Sequence, residues 1–297
     1  MIPPFLRLND QIRIISPSGV IDPAFLDAAA HRLSSWGLVV SEGKFAREEY
    51  GRFAGTKSQR IADLQDAFND PDVKAILCSR GGYGVAQIID QIDFATFCEH
   101  PKWVIGFSDI TILHQAIAHY GFASLHGIMA KQIATLPVNA EALIGLREIL
   151  FGNLPVYKIK YSPENRIGSS NGNLIGGNLS VFMAMRSTDI DFAFKNNILF
   201  IEDVNEQPYH IDRLIQNLRL SGALAQLSGL IVGQFNDCDE DPLMKQTITE
   251  IISEAVAEYD FPVCFNFPAG HIDDNRALIM GQNLNLHVNK NEVEIYY

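Results

Sequence analysis

The chain opens with apolar runs that alternate between strand-like and helix-like spacing. Ile12, Ile14 and Ile15 lie in a short run, Gln11 to Ser16, closed by Pro17 and Gly19, which predicts a first strand. Phe25, Leu26, Ala29, Leu33 and Trp36 then recur at helical spacing until Gly37. Leu38-Val39-Val40 predicts a second strand, and the polar and aromatic stretch from Phe45 to Gly55 a surface loop. Ile61, Leu64, Ala67 and Phe68 mark a second helix, ended by Asn69-Asp70-Pro71. Val73 to Cys78 predicts a third strand that runs into Ser79-Arg80-Gly81-Gly82-Tyr83-Gly84 and an apolar-periodic segment, Val85 to Ile92. Trp103-Val104-Ile105-Gly106 is a further strand, followed by helical spacing at Ile110, Leu113 and Ile117, a stop at Tyr120, and a strand around Phe122–Leu125. Strands alternating with helices of this length predict βαβ units and a mostly parallel sheet. Such sheets bind ligands beyond the carboxyl ends of their strands, where both Gly81-Gly82 and Ser108 fall.

The periodicity breaks between Phe151 and Gly172, a stretch crowded with Gly, Asn, Pro and Ser, and a domain boundary is expected there. The expected division is residues 1–152, a linker over 153–171, and a second domain over 172–297. The second half holds a helix over 181–185 and a strand, Ile198 to Ile201, ending in Glu202-Asp203. Ile211, Leu214, Ile215, Leu218 and Leu220 give a helix closed by Gly222, and Gly229 to Phe235 gives a strand. A helix is expected from about Leu243 to Tyr259, then a strand, Val263 to Phe267, that runs into Pro268-Ala269-Gly270-His271. Alternation at Leu284, Leu286, Val288, Val293 and Ile295 predicts an antiparallel hairpin turning at Asn289-Lys290-Asn291.

Composition narrows the chemistry. A net charge of −12 argues against a nucleic-acid or anionic-membrane surface. No apolar run is long enough to span a bilayer, and Met1 to Arg7 shows no leader pattern. The four cysteines, Cys78, Cys98, Cys238 and Cys264, are scattered, so neither a zinc site nor a disulfide framework is expected, and a reducing cytoplasm is the simplest compartment.

Gly106-Phe107-Ser108-Asp109 places a serine at a tight turn between a strand and a helix, the mechanics of a nucleophile elbow. The G-x-S-x-G pattern is half met, because Ile110 stands where the second glycine would be. An ordinary helix N-cap reads the same way. A serine hydroxyl needs a base, and the base a third group that fixes its tautomer. His271 follows a strand and Glu202 ends one, but His114, His126 and Asp109 are rivals that spacing alone does not separate. The Gly81-Gly82-Tyr83-Gly84 loop suits a phosphate cradle, an oxyanion donor or a plain turn. No full nucleotide-binding glycine motif accompanies it.

Four segments in order resemble the LD-carboxypeptidase family of serine peptidases, relatives of the microcin-immunity hydrolases. They are Ser79 to Gly84; Gly106 to Asp109; Ile201-Glu202-Asp203 with Tyr209 to Arg213; and Pro268 to His271. Gly176-Gly177-Asn178-Leu179 and Leu125-His126-Gly127 fit as well. The resemblance implies a flavodoxin-like parallel-sheet N-terminal domain with a smaller mixed β/α C-terminal domain, and a homodimer. It implies a Ser108, Glu202, His271 triad and an oxyanion hole from the backbone N–H groups of Asp109 and Gly82. It also implies a murein tetrapeptide or muropeptide substrate, cut between an L-configured diamino acid and terminal D-alanine in cytoplasmic cell-wall recycling, with no metal or cofactor. A terminal carboxylate needs a cation or backbone donors, for which Arg80 and Gly81 are the candidates. Two other functions are the alternatives. One is hydrolysis of acyl-nucleotide amides, although residues 167–177 lack the aromatic those hydrolases stack on the base. The other is non-catalytic binding of a small molecule on a doubly wound sheet.

Overall fold

Two sheets carry the alternation of apolar runs. The protein is described by a computed structural model covering residues 1–238 and 241–297. Its first strands are β1 (Gln11–Ile15), β2 (Val39–Glu42), β3 (Val73–Cys78), β4 (Trp103–Gly106) and β5 (Ser124–His126). Next come β6 (Val156–Lys160), β7 (Gly168–Asn178), β8 (Ile198–Val204), β9 (Gly229–Asn236) and β10 (Val263–Cys264). The last are β11 (Leu278–Met280), β12 (Asn283–Val288) and β13 (Glu292–Tyr296). The helices are α1 (Pro23–Ser35), α2 (Lys57–Asn69), α3 (Ala95–Glu99), α4 (Thr111–His119), α5 (Ala130–Thr135) and α6 (Glu141–Leu150) in the first half. The second half adds α7 (Leu179–Ala184), α8 (Pro208–Leu220) and α9 (Ile248–Ala255). The chain divides into one unit of Met1–Asn153 with Asp273–Met280, and a smaller one of Leu154–Ile272 with Gly281–Tyr297.

The first unit is a six-stranded sheet in the order β11-β5-β4-β3-β1-β2, parallel from β2 through β5. Strand order 2-1-3-4-5 is the flavodoxin-like winding, so the switch point lies between β1 and β3. Sequence chemistry sets the helix starts. Asp22 caps α1 ahead of Pro23, and Thr56 with Gln59 forms a capping box on α2. Every residue of β4 is buried, as a central strand covered on both faces requires. Just before it, the buried Lys102 ammonium donates to the carbonyls of Ala67, Phe68 and Asp70 and closes the end of α2. Burial brings the Lys102 pKa down to about 8.

The structure departs from the pattern in two places here. Residues 85–92, a single apolar-periodic segment in the sequence, form two short 3₁₀ turns, Val85–Gln87 and Ile89–Gln91. Their entry is set by side chains from outside the segment: Arg60 holds the Gly84 carbonyl and Asp109 the Val85 N–H. Strand β11, antiparallel to β5, was not expected, since three residues are too few to show alternation.

The second unit is a seven-stranded mixed sheet, β10-β9-β8-β7-β12-β13-β6. Strands β7 to β10 are parallel, and β12, β13 and β6 antiparallel. The stretch read as a linker, 153–171, carries β6 and the start of β7. Its Gly, Ser and Asn residues are in a strand because Gly168 through Asn173 pair with Val288 through Asn283 of β12. The expected hairpin is β12–β13, and the helix expected over 243–259 is α9, started by a Thr247–Glu250 capping box. Phe182, Leu199, Ile201, Ile211, Ile215, Leu218, Ile252 and Phe265 form its core.

Strand β11 brings a fully buried Leu278 to the first unit's sheet. Leu278→Ala is expected to lower unfolding free energy by about 2–5 kcal/mol, measured by urea denaturation, with β5 deprived of part of its covering edge.

Candidate active site

Strand β4 ends in a turn that a serine rarely adopts. Phe107 is extended, and Ser108 then takes φ 64°, the left-handed region. Holding a non-glycine residue there costs about 1–3 kcal/mol and needs surroundings that enforce it. The enforcement is visible on both sides. The Gly106 carbonyl accepts from Gly127 N–H and from His114 Nε2, and the serine opens a 3₁₀ turn whose last residue, buried Ile110, leads into the almost wholly buried α4. The half-met elbow pattern also has a physical account. A Cβ on Gly106 would come within 2.8 Å of Ile110, so the first glycine makes room for the side chain that replaces the second. Ser108 is half-buried at the helix start, with the rest of the turn buried behind it.

Gly81 lies directly against the serine. A Cβ there would sit 2.8 Å from Ser108 Cβ, 2.9 Å from its Oγ and 3.4 Å from the Asp109 nitrogen. Only glycine permits that approach, and it brings the Gly81-Gly82 backbone beside the serine hydroxyl. Arg80 is exposed, and its Nη1 donates to the Val20 carbonyl at 2.9 Å.

Of the rival residues in this unit, His114 is committed elsewhere. A carbonyl only accepts, so Nε2 carries the proton to Gly106 at 2.9 Å and Nδ1 accepts from Ser124 Oγ at 2.8 Å. Burial brings its pKa down to about 4, which keeps it neutral. His126 is buried between the Phe107 and His114 rings, 5.8 and 6.5 Å from them. Asp109 turns its carboxylate away from any proton-shuttle role. Oδ2 accepts from Ser18 Oγ at 2.6 Å and Val85 N–H at 2.9 Å, and burial pushes its pKa up against those bonds.

In the second unit, Glu202 and His271 meet. Glu202 is fully buried near the end of β8, opposite an irregularity in which Gly233 and Gln234 of β9 span the place of one residue. Such bulges re-aim side chains. The segment after β10 is tied along β9 by Phe267 N–H to Val232 and Gln234 N–H to Ala269. It delivers His271, whose Nδ1 lies 2.8 Å from Glu202 Oε2. Gly270, at φ +129°, allows this: its Cβ would stand 3.0 Å from that same oxygen. Beside the pair, Asp203 accepts from Asn178 Nδ2 and from the N–H and hydroxyl of Ser180. Burial disfavours a charged His271, but the Glu202 carboxylate, helped by Asp203, outweighs it and raises the imidazole pKa above 6.5. Burial in turn pushes Glu202 up.

The structure thus groups Ser108, Gly81 and Asp109 in the first unit, and Glu202 with His271 in the second. Ser18 and Arg60, which hold the loops around the serine, were not singled out from the sequence. Ser18 sits between Pro17 and Gly19, a turn signal with no chemical one. Asp203 adjoins Glu202, but a carboxylate pair at a strand end reads equally as a helix cap. Among the described residues, no group of three or more His, Cys, Asp or Glu side chains is placed to hold a metal ion.

Residues 12–127 match the model of the LD-carboxypeptidase N-terminal domain, and residues 171–286 that of the LD-carboxypeptidase C-terminal domain. The chain belongs to the LD-carboxypeptidase family. It is 32% identical to the "Probable murein peptide carboxypeptidase" of Bacillus subtilis strain 168, covering 94% of this chain and 89% of that one. It is 30% identical to the murein tetrapeptide carboxypeptidase of Pseudomonas aeruginosa, with 95% of each chain covered. Among solved structures, the muramoyltetrapeptide carboxypeptidase of Oxalobacter formigenes superposes with a TM-score of 0.89 at 26% identity, covering 96% of this chain and 98% of the other. The microcin C7 self-immunity protein MccF, in complex with aspartyl sulfamoyl adenosine, superposes at 0.88 and 21% identity, covering 100% and 98%, and shares the fold.

Two outcomes follow from the geometry. Gly81→Ala forces a methyl onto the Ser108 side chain and is expected to lower kcat by about a hundredfold with the fold intact, checked by steady-state kinetics and circular dichroism. Glu202→Gln removes the carboxylate that raises His271, so any activity that needs neutral His271 should lose its acid limb above pH 6.5. In the pH profile of kcat/KM that limb moves to lower pH while the plateau falls.

Proposed function

We propose that the chain is a serine-type LD-carboxypeptidase that hydrolyses the bond between the L-diamino acid and D-alanine of murein tetrapeptides through an acyl-enzyme. The observation that carries this reading is the buried Glu202–His271 hydrogen bond. It commits Nδ1 to an orienting carboxylate, so Nε2 is the nitrogen that exchanges a proton. Family membership and the relatives' names support the substrate class.

In this reading His271 Nε2 takes the proton of Ser108 Oγ, and Oγ attacks the carbonyl carbon of the diamino acid. The oxyanion receives the backbone N–H groups of Asp109 and Gly82, a contribution of about 3 kcal/mol per donor. His271 then returns the proton to the departing nitrogen, and D-alanine leaves. Water, deprotonated by the same imidazole, cleaves the ester and frees the tripeptide. Glu202 keeps the imidazole in the right tautomer and stabilises its charged form. Arg80 and the Gly81 backbone are the groups assigned to the terminal carboxylate. The reading carries two further expectations, a homodimer and a cytoplasmic site of action. Among the described residues no helix is long and apolar enough to cross a membrane.

Purified protein incubated with a murein tetrapeptide is expected to release D-alanine, quantified by an oxidase-coupled assay. Ser108→Ala and His271→Ala should each reduce release at least about a thousandfold. Full release by either variant contradicts the triad. No release from lysine-type or diaminopimelate-type peptides by the wild type contradicts the substrate class.

A further inference from the structure

The residue after the serine has a side chain that the reaction scheme does not use. Asp109 is 2% exposed, and Arg60, on α2, is also 2% exposed. They sit on opposite sides of one peptide unit. Arg60 Nη1 donates to the Gly84 carbonyl at 2.8 Å, and the N–H of the same peptide, that of Val85, donates to Asp109 Oδ2 at 2.9 Å. The peptide dipole therefore lies between a buried cation at its oxygen and a buried anion at its hydrogen. The same two side chains grip a second loop. Arg60 Nη1 also donates to the Pro17 carbonyl at 3.1 Å, and the Ser18 hydroxyl donates to Asp109 Oδ2 at 2.6 Å. Gln87 Oε1 takes Arg60 Nη2 at 2.7 Å, and the guanidinium lies 4.8 Å from the Phe53 ring centre.

These two loops leave β1 and β3, the strands on either side of the switch point, and a Gly19 N–H to Gly81 carbonyl bond of 3.2 Å joins them. The loop after β3 carries Gly81, whose close packing on Ser108 was described above. Charges are costly to bury unless hydrogen-bonded, and each here is held mainly by backbone or hydroxyl groups of the loops it fixes. Removing either charge leaves the other buried without its counter-charge and frees the loop groups that the lost side chain held.

We propose that Asp109 and Arg60 are positioning residues: through the Gly84–Val85 peptide and the Pro17–Ser18 turn, they hold the Gly81-Gly82 backbone at the distance from Ser108 that the oxyanion requires. The inference rests on Ser108 being the nucleophile. It goes beyond that reading by assigning work to the Asp109 carboxylate distinct from that of its backbone N–H. A backbone donor 1 Å out of place loses about a hundredfold in rate, so the rigidity of the loop is itself a catalytic requirement.

The test compares wild type, Asp109→Asn and Ser18→Ala on a murein tetrapeptide, with turnover normalised to the serine titrated by a fluorophosphonate. Asp109→Asn removes the charge at nearly constant shape. Ser18→Ala leaves both charges and deletes one tether. The expected result is a kcat per titrated serine lower by about tenfold to a hundredfold in Asp109→Asn and about threefold to tenfold in Ser18→Ala, with KM within about threefold of wild type. Fewer titratable serines with wild-type kcat at each is the signature of a purely structural role and overturns the proposal. Wild-type kcat in Ser18→Ala together with failure of Asp109→Asn to fold also overturns it. Undiminished turnover in Ser108→Ala would instead remove the nucleophile reading underneath.

Discussion

The geometry of the first unit depends on one constraint: a serine at the end of a buried parallel strand held in a left-handed conformation. The backbone must leave the sheet, lift a hydroxyl out of it and enter a helix within about three residues. That costs about 1–3 kcal/mol, which the surrounding packing has to offset. The neighbouring residues are chosen by this need. Gly106 admits Ile110, Gly81 admits the serine itself, and His114, kept neutral by its burial, holds the Gly106 carbonyl. A histidine on the helix that follows the serine, a rival base by sequence alone, is here a brace.

The second unit solves a different problem, keeping an imidazole oriented and easily protonated. Full burial of Glu202 strengthens its effect on His271, because there is little water to screen it. The same burial pushes the carboxylate's own pKa up, against the bond to the imidazole. Asp203, close behind, is satisfied by Asn178 and Ser180 and adds negative potential without competing for the ring. The irregular pairing of β8 with β9 and the glycine before His271 are the backbone means to this end.

Much of this was legible in the sequence, for physical reasons that can be named. Buried parallel strands read as continuous apolar runs, so β1, β3, β4, β8 and β9 stood out, and the strand-turn-helix at Ser108 placed that residue at a carboxyl end. Spacing left Glu202 and His271 equal with their rivals, and only the resemblance carried by the ordered motifs singled them out. What escaped was carried by short or polar segments. Strand β11 has three residues, and the Gly168–Asn173 part of β7 is strand only because β12 lies beside it. The Arg60 and Asp109 contacts to loop backbone leave no periodic trace, because the partners are peptide groups that every residue has.

The proposed reaction passes through acylation of Ser108 by the peptide it cuts. The most direct measurement is rapid acid quenching of the enzyme during turnover of a murein tetrapeptide, followed by digestion and mass spectrometry of the fragment containing Ser108. A transient gain equal to the tripeptidyl group is expected, located on Ser108 and absent from Ser108→Ala. Steady release of D-alanine with no adduct at any quench time, or an adduct on another residue, would contradict it.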